Sequence, residues 1–307
     1  MQASRLLPVI CLVTSSALWG AVTVLNKALL AFVPAIPLLA IQLAASGAAL
    51  LAFVGLRRLP MPTLRAAVPL ALLGVLNPGL SYSLALLGLV TVTASTAALL
   101  WAAEPLLIVA LAAIILREPV TPRLVAIILA GLIGVTLVTG ALSGASIGRA
   151  ELVGTALIML AILLCALYTV LSRRLIASAD PVVTAMVQQA AGLAWCLLAM
   201  AFGPFGGPPE VAALPWNTLA YAVLSGLLYY ALAYGLFLTA LRVTPAGIAS
   251  GYYNLIPVFG VTLAYVFLGE RLTGPQMAGA ALILVSALFL VRLTAGAESG
   301  PSRLTGR

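Results

Sequence analysis

Leu99-Leu100-Trp101-Ala102-Ala103-Glu104-Pro105 opens an apolar run that continues to Leu116 and closes on Arg117-Glu118. With its flanks it forms a membrane-length segment from about Thr93 to Leu116, with a carboxylate near the midpoint and a proline directly after it. Both residues are costly there. A charged Glu at mid-bilayer costs roughly 2.5–3.5 kcal/mol on insertion scales, and Pro105 has no N–H to give to the carbonyl of Trp101. A plain membrane anchor needs neither.

The same stretch returns later in the chain. Pro105, Glu118 and Thr121 recur 152 positions on as Pro257, Glu270 and Thr273; Leu111-Ala112 returns as Leu263-Ala264 and Leu116 as Leu268, with no gap. This is an internal duplication. Trp101 becomes Tyr253 and Glu104 becomes Ile256, so the scaffold is repeated and the carboxylate is not.

Composition sets the class. The 307 residues are 64% hydrophobic and 7% charged, with a mean hydropathy of +1.22, whereas a soluble domain carries about 25% charged residues. Hydropathy predicts an all-α integral membrane protein with ten spans near 8–30, 36–56, 66–88, 93–116, 122–140, 151–173, 181–202, 216–240, 246–268 and 274–292, each close to the roughly 20 residues a bilayer requires. The net charge of +8 comes from basic residues that stand singly or in pairs at span ends, with no stripe to bind nucleic acid. With the N-terminus inside, twelve of the fifteen fall on the cytoplasmic side and only Lys27, Arg149 and Arg271 outside. That split predicts both termini in the cytoplasm. The first run continues through Trp19 to Leu30 without a small-residue cleavage site, so it reads as a retained span.

Much chemistry is excluded. No histidine occurs, which removes Ser/His/Asp triads and imidazole metal sites. Cys11, Cys165 and Cys196 all fall in spans, without metal or disulfide spacing, and read as small packing residues. There is no nucleotide loop, and no cofactor is expected.

Val24-Leu25-Asn26-Lys27 matches Val170-Leu171-Ser172-Arg173 at an offset of 146, which has become 152 by Gly74/Gly226 and Tyr82/Tyr234; the added residues are placed in the Gly203–Pro209 loop. Each repeat therefore holds five spans: residues 1–145 and 146–294, followed by a short polar tail, 295–307, expected to be disordered and cytoplasmic. An odd number of spans inserts the second copy upside down, and inverted repeats place a site near the midplane at their interface.

The candidates for that site are few. In a continuous helix Ala97, Leu100, Trp101, Glu104 and Ile108 share one face, and Ser250, Tyr253, Asn254 and Pro257 share the equivalent face of span nine. Asn77-Pro78-Gly79 and Tyr82 interrupt span three, while Tyr229-Tyr230 and Tyr234 stand in span eight; such interruptions are tolerated only against protein or a wet cavity. Asn77 either lines a cavity or bonds between helices, and the same choice is open for Gln42 in span two. Aromatic faces at Trp19, Trp101, Tyr82, Tyr234 and Tyr253 suit a cationic amine or an aromatic solute. Glu104 adds a titratable counter-charge able to exchange protons. Glu118 and Glu270, beside Arg117 and Arg271, are read as caps and charge partners opening the next helix.

Taken together, Trp19-Gly20 in span one, the Pro105-to-Glu118 run, Gly269-Glu270-Arg271-Leu272-Thr273 after Pro257, and a glycine-bearing last span resemble the EamA-like family of the drug/metabolite transporter superfamily, from about Pro8 to Arg292. The resemblance implies a basket-like bundle in the cytoplasmic (inner or plasma) membrane, monomeric or homodimeric, exporting amino acids or related metabolites. Two departures stand out. Gln42 occupies a place where many relatives have Arg, so carboxylate recognition by that Arg is not carried over. Pro119 replaces the usual Arg after Glu118. The expectation is a secondary exporter of small metabolites, most plainly amino acids or amines, driven by proton exchange. Export of lipophilic cations is the alternative within transport, and a non-transporting membrane enzyme or scaffold the alternative outside it, although no nucleophile–base pair or metal cluster stands in the sequence for an enzyme.

Overall fold

A backbone surrounded by apolar side chains can bond only to itself, and the computed structural model is helical throughout, with no strand among its described residues, 3–115, 121–138, 148–175, 180–203, 214–241 and 252–298. The helices are α1 (Ala3–Leu29), α2 (Ala35–Arg57), α3 (Leu64–Gly74), α4 (Ser81–Leu89), α5 (Ala94–Trp101), α6 (Glu104–Ile115), α7 (Pro122–Val138), α8 (Arg149–Leu175), α9 (Pro181–Phe202), α10 (Trp216–Gly226), α11 (Tyr234–Leu241), α12 (Leu255–Leu268) and α13 (Gly274–Glu298). Six-residue Val75–Leu80 and seven-residue Leu227–Ala233 join α3 to α4 and α10 to α11 as π-type turns. A 3-10 turn, Tyr252–Asn254, leads into α12.

Among the described residues seven stretches are long and apolar enough to cross a membrane: Leu6–Leu29, Ala35–Arg57, Leu64–Leu89, Ala94–Ile115, Arg149–Ser172, Pro181–Phe202 and Trp216–Phe237. Pro122–Val138, Tyr252–Leu268 and Gly274–Phe289 are shorter apolar helices. Large apolar side chains such as Leu56, Leu72, Ile114 and Phe202 point outward, a surface suited to acyl chains. The last helix continues to Glu298, past the start of the expected tail at Ala295. Arg117, Glu118, the Gly203–Pro209 loop beyond its first residue, and Ser250 lie outside the described residues.

Packing follows the duplication. Gly74, at the end of α3, lies so close to α9 that an added Cβ would meet the backbone of Gln188; Gly226, at the end of α10, bears the same relation to the backbone of Gln42 on α2. Gly74 and Gly226 are 152 positions apart, Gln42 and Gln188 146, so one contact is made twice by equivalent residues. The paired last helices of the two repeats meet similarly, the missing Cβ of Gly134 facing the Gly279 carbonyl and that of Gly279 facing the Gly134 carbonyl. Absent side chains let backbones approach where lipid supplies no hydrophobic drive.

The interruptions are duplicated too. The two π-type turns begin at Val75 and Leu227, 152 positions apart. Within the first, Asn77 is extended (φ −146°, ψ 116°), so the helix axis kinks there. Span four, read from sequence as one continuous helix with a proline inside it, is two half-helices: α5 ends at Trp101, Ala102 and Ala103 form a turn, and α6 starts at Glu104. Pro105 thus sits in a first turn, where a missing N–H leaves no bond unmade. Pro257 likewise falls in the first turn of α12, just after the 3-10 turn.

Candidate functional site

The break in span four, the 3-10 turn that leads into α12 and the two π-type turns carry residues that meet between the repeats. A π-type turn widens the backbone spiral and releases carbonyls from their usual partners; here side chains from other helices take them up. The indole Nε1 of Trp19 (α1) donates to the Tyr229 carbonyl at 3.3 Å, and Gln189 Nε2 (α9) donates to the Tyr230 carbonyl at 3.0 Å. These bonds fix both the turn and the indole that reaches it.

Around them lies a continuous cluster of rings. Trp19 contacts Tyr229, Tyr234, Phe237 and Tyr253 with centroid separations of 6.5, 5.8, 5.7 and 5.3 Å. Tyr82 (α4) stacks on Trp101 at 5.7 Å and 19° and meets Tyr229 and Tyr230 edge-on at 5.6 and 5.4 Å. The Tyr229 hydroxyl donates to that of Tyr82 at 3.4 Å. Rings from α1, α4 and α5 thereby meet rings from the second repeat, at spacings typical of favourable aromatic pairs.

Glu104 is the first residue of α6, where the free amides of a helix end favour negative charge. Its carboxyl group faces the Cys165 thiol of α8, with Tyr229 and Tyr253 near enough to feel its charge. Asn77 Nδ2 donates to Cys165 Sγ at 3.5 Å, and Ser81 Oγ donates to Asn77 Oδ1 at 2.7 Å. A polar chain therefore runs Ser81–Asn77–Cys165 across the interface of the repeats, with Glu104 beside the thiol. Glu104, Tyr82, Tyr229, Tyr234 and Tyr253 are all half-buried.

Of the residues singled out from sequence, Trp19, Tyr82, Trp101, Tyr234 and Tyr253 join the ring cluster, and Asn77 the polar chain, with Glu104 beside it. Asn254 ends the 3-10 turn and leaves the first amides of α12 without a side-chain cap. Gln42 goes elsewhere. It is fully buried, its Nε2 donating to Asn26 Oδ1 and to Ser225 Oγ, both at 2.7 Å, and so it ties α2 to α1 and α10. Cys165, read as a packing residue, touches Glu104. Its position was legible in one way, for it lies 146 residues after Trp19. Tyr229, Tyr230 and Phe237 complete the cluster; the first two were visible as a pair in an interrupted span, while Phe237 carried no signal in a sequence this apolar. Among the described residues no group of His, Cys, Asp and Glu could hold a metal ion.

Glu270 differs from its expected role of opening the next helix. Its two carboxylate oxygens accept the N–H groups of Ala94 and Ser95, each at 2.8 Å, so it caps α5 in the other repeat.

Known proteins place this architecture. A solved crystal structure superposes with a TM-score of 0.62 and 22% identity, covering 95% of this chain and 98% of its own, which establishes the shared fold. A curated "Uncharacterized transporter" of Clostridium kluyveri is 25% identical over 223 residues, 72% of this chain and 70% of that protein. A "Probable terminal-alkyne amino-acid exporter" of Streptantibioticus cattleyicolor is 41% identical over 95 residues, and the match spans 30% of each chain. The model of the EamA-like transporter family matches residues 6–140 and again 152–292, one match per repeat. With one match to each half of a duplicated helical bundle, the chain belongs to the EamA-like transporters of the drug/metabolite transporter superfamily.

Proposed function

We propose that the chain crosses the cytoplasmic membrane ten times, as two inverted five-helix repeats with both termini inside, and exports an amino acid or related amine in exchange for protons. The three shorter apolar helices supply the spans beyond the seven of full length, and the basic residues gathered at one set of span ends support the orientation.

The carrying observation is Glu104: a half-buried carboxyl group at a half-helix start, beside Cys165 and faced by Tyr229 and Tyr253. Intramembrane acids turned toward a bundle interior mark solute or proton paths. Two complementary ends are on offer to a zwitterion. Glu104 and the surrounding rings suit an ammonium group, and the uncapped first turn of α12 suits a carboxylate. Trp101, Tyr82, Tyr234, Tyr253, Asn254, Asn77 and Trp19 line the path. Proton and amine compete for Glu104, so each crossing carries one or the other.

The partial relative named as an amino-acid exporter favours this substrate class. The ring cluster favours lipophilic cations as a second reading. Proteoliposomes loaded with labelled amino acids and given an inward proton gradient separate the two: efflux should follow the gradient and fall at least tenfold in Glu104→Gln. Unchanged flux and unchanged response to pH in that variant overturn the role of Glu104. Competition by quaternary ammonium dyes but not by amino acids would favour the second reading.

A further inference from the structure

Two charged residues outside the ring cluster, Lys27 and Glu270, hold the connection between α4 and α5. Lys27, at the end of α1, donates from Nζ to the carbonyls of Leu89 and Val90 at 2.9 and 3.0 Å, the last acceptors of α4. Glu270, just after α12, accepts from Ala94 and Ser95 at the start of α5. Both charges are placed as helix ends require, the cation on free carbonyls and the anion on free amides, and they act on each other as well. Between them they grip both sides of the short α4–α5 connection.

The grip closes a seam. From the ring cluster toward Lys27, α1, α5 and α12 come together on small residues: a Cβ on Gly260 would lie 2.7 Å from that of Ala98, and one on Gly20 would lie 2.8 Å from the Gly260 nitrogen. Next come Val24, Ala94 and Ala264, buried together. The seam runs from Gly20 to Lys27 on α1, about 10 Å along the helix, and the two charges cap its outer end.

We propose that Lys27 and Glu270 are a latch: by holding the α4–α5 connection against α1 and α12, they keep the bundle closed at this end and fix the half-helix that carries Trp101. Both are positioning residues, remote from solute. Opening this side requires four charge-assisted bonds to break together, so the latch sets how the closed and open forms are balanced. This rests on the alternating-access reading given above.

The test uses full-length protein in lipid nanodiscs with spin labels at Thr91→Cys and Thr273→Cys, both exposed, while the native cysteines are buried. Pulsed dipolar spectroscopy should give one dominant short distance in the latched protein. In Glu270→Gln that population should fall by at least half, in favour of longer distances, with helical content unchanged. Lys27→Met, which frees only the α4 side, should shift it the same way and carries the readout if Glu270→Gln does not fold. Distributions unchanged in both variants overturn the latch, whatever their flux. A shifted distribution in a protein that moves no amino acid supports the latch and removes the functional reading instead.

Discussion

The corner built around Trp19 and the corner built around Cys165 occupy equivalent places in the two repeats, 146 positions apart, and they are filled by opposite means. In the first, a large indole packs on Tyr253 and Phe237 and donates to the Tyr229 carbonyl. In the second, a small thiol faces Asn77, the counterpart of Tyr229, and leaves room for Glu104, the counterpart of Ile256. The backbone is duplicated down to the register of its breaks, while the side chains are not. The scaffold is symmetric, while the corners are not: one is polar and the other aromatic.

Moving the carboxylate is the hardest way to break this comparison. The double variant Glu104→Ile/Ile256→Glu keeps composition and scaffold but carries the acid to a corner without a thiol or Asn77. Proteoliposome efflux should fall more than tenfold and stay there. Flux near that of the unaltered protein would make the two corners interchangeable.

Next in size is the repeated glycine contact. Gly74→Ala and Gly226→Ala each drive a methyl group into a neighbouring backbone, and overpacking of this kind costs about 1–3 kcal/mol. Thermal melts in detergent should fall by similar amounts in both variants. A drop in only one would mean that the repeats do not pack equivalently.

Gln42→Leu sharpens the comparison by removing a residue that is buried and bonded between α1, α2 and α10. Asn26 and Ser225 lose its amide, and leaving buried polar groups unpaired costs about 1–3 kcal/mol. The melting temperature should fall while flux per folded molecule holds. A raised KM or lowered kcat at unchanged stability would return Gln42 to the solute path.

The smallest effect is expected of Tyr82→Phe. It keeps the stack on Trp101 and loses only a 3.4 Å hydroxyl contact, so transport KM should change less than threefold. Tyr82→Ala removes the ring itself and should change it more.

The class of fold and the duplication were legible because a bilayer leaves few solutions, and because Pro105/Pro257, Glu118/Glu270 and Gly74/Gly226 keep their spacing. Glu104 was legible for the same reason that it is costly: an acid in an apolar span has few uses. The break at Ala102–Ala103 was less plain, since a proline can kink a helix or start a new one and only the neighbouring helices decide which. Cys165 was hidden by its chemistry, a thiol being as much at home in packing as beside an acid. Glu270 was placed correctly as a cap but assigned to the wrong helix, because capping across 176 residues has no local signature.

That distant cap bears on how the molecule is made. While the first repeat is being threaded into the bilayer, the opening amides of α5 have no Glu270, which leaves the ribosome 176 residues later. The nascent first half must keep that end wet or borrowed by an insertion factor until synthesis is nearly complete, and two halves produced as separate polypeptides would each emerge lacking a part that only the other encodes.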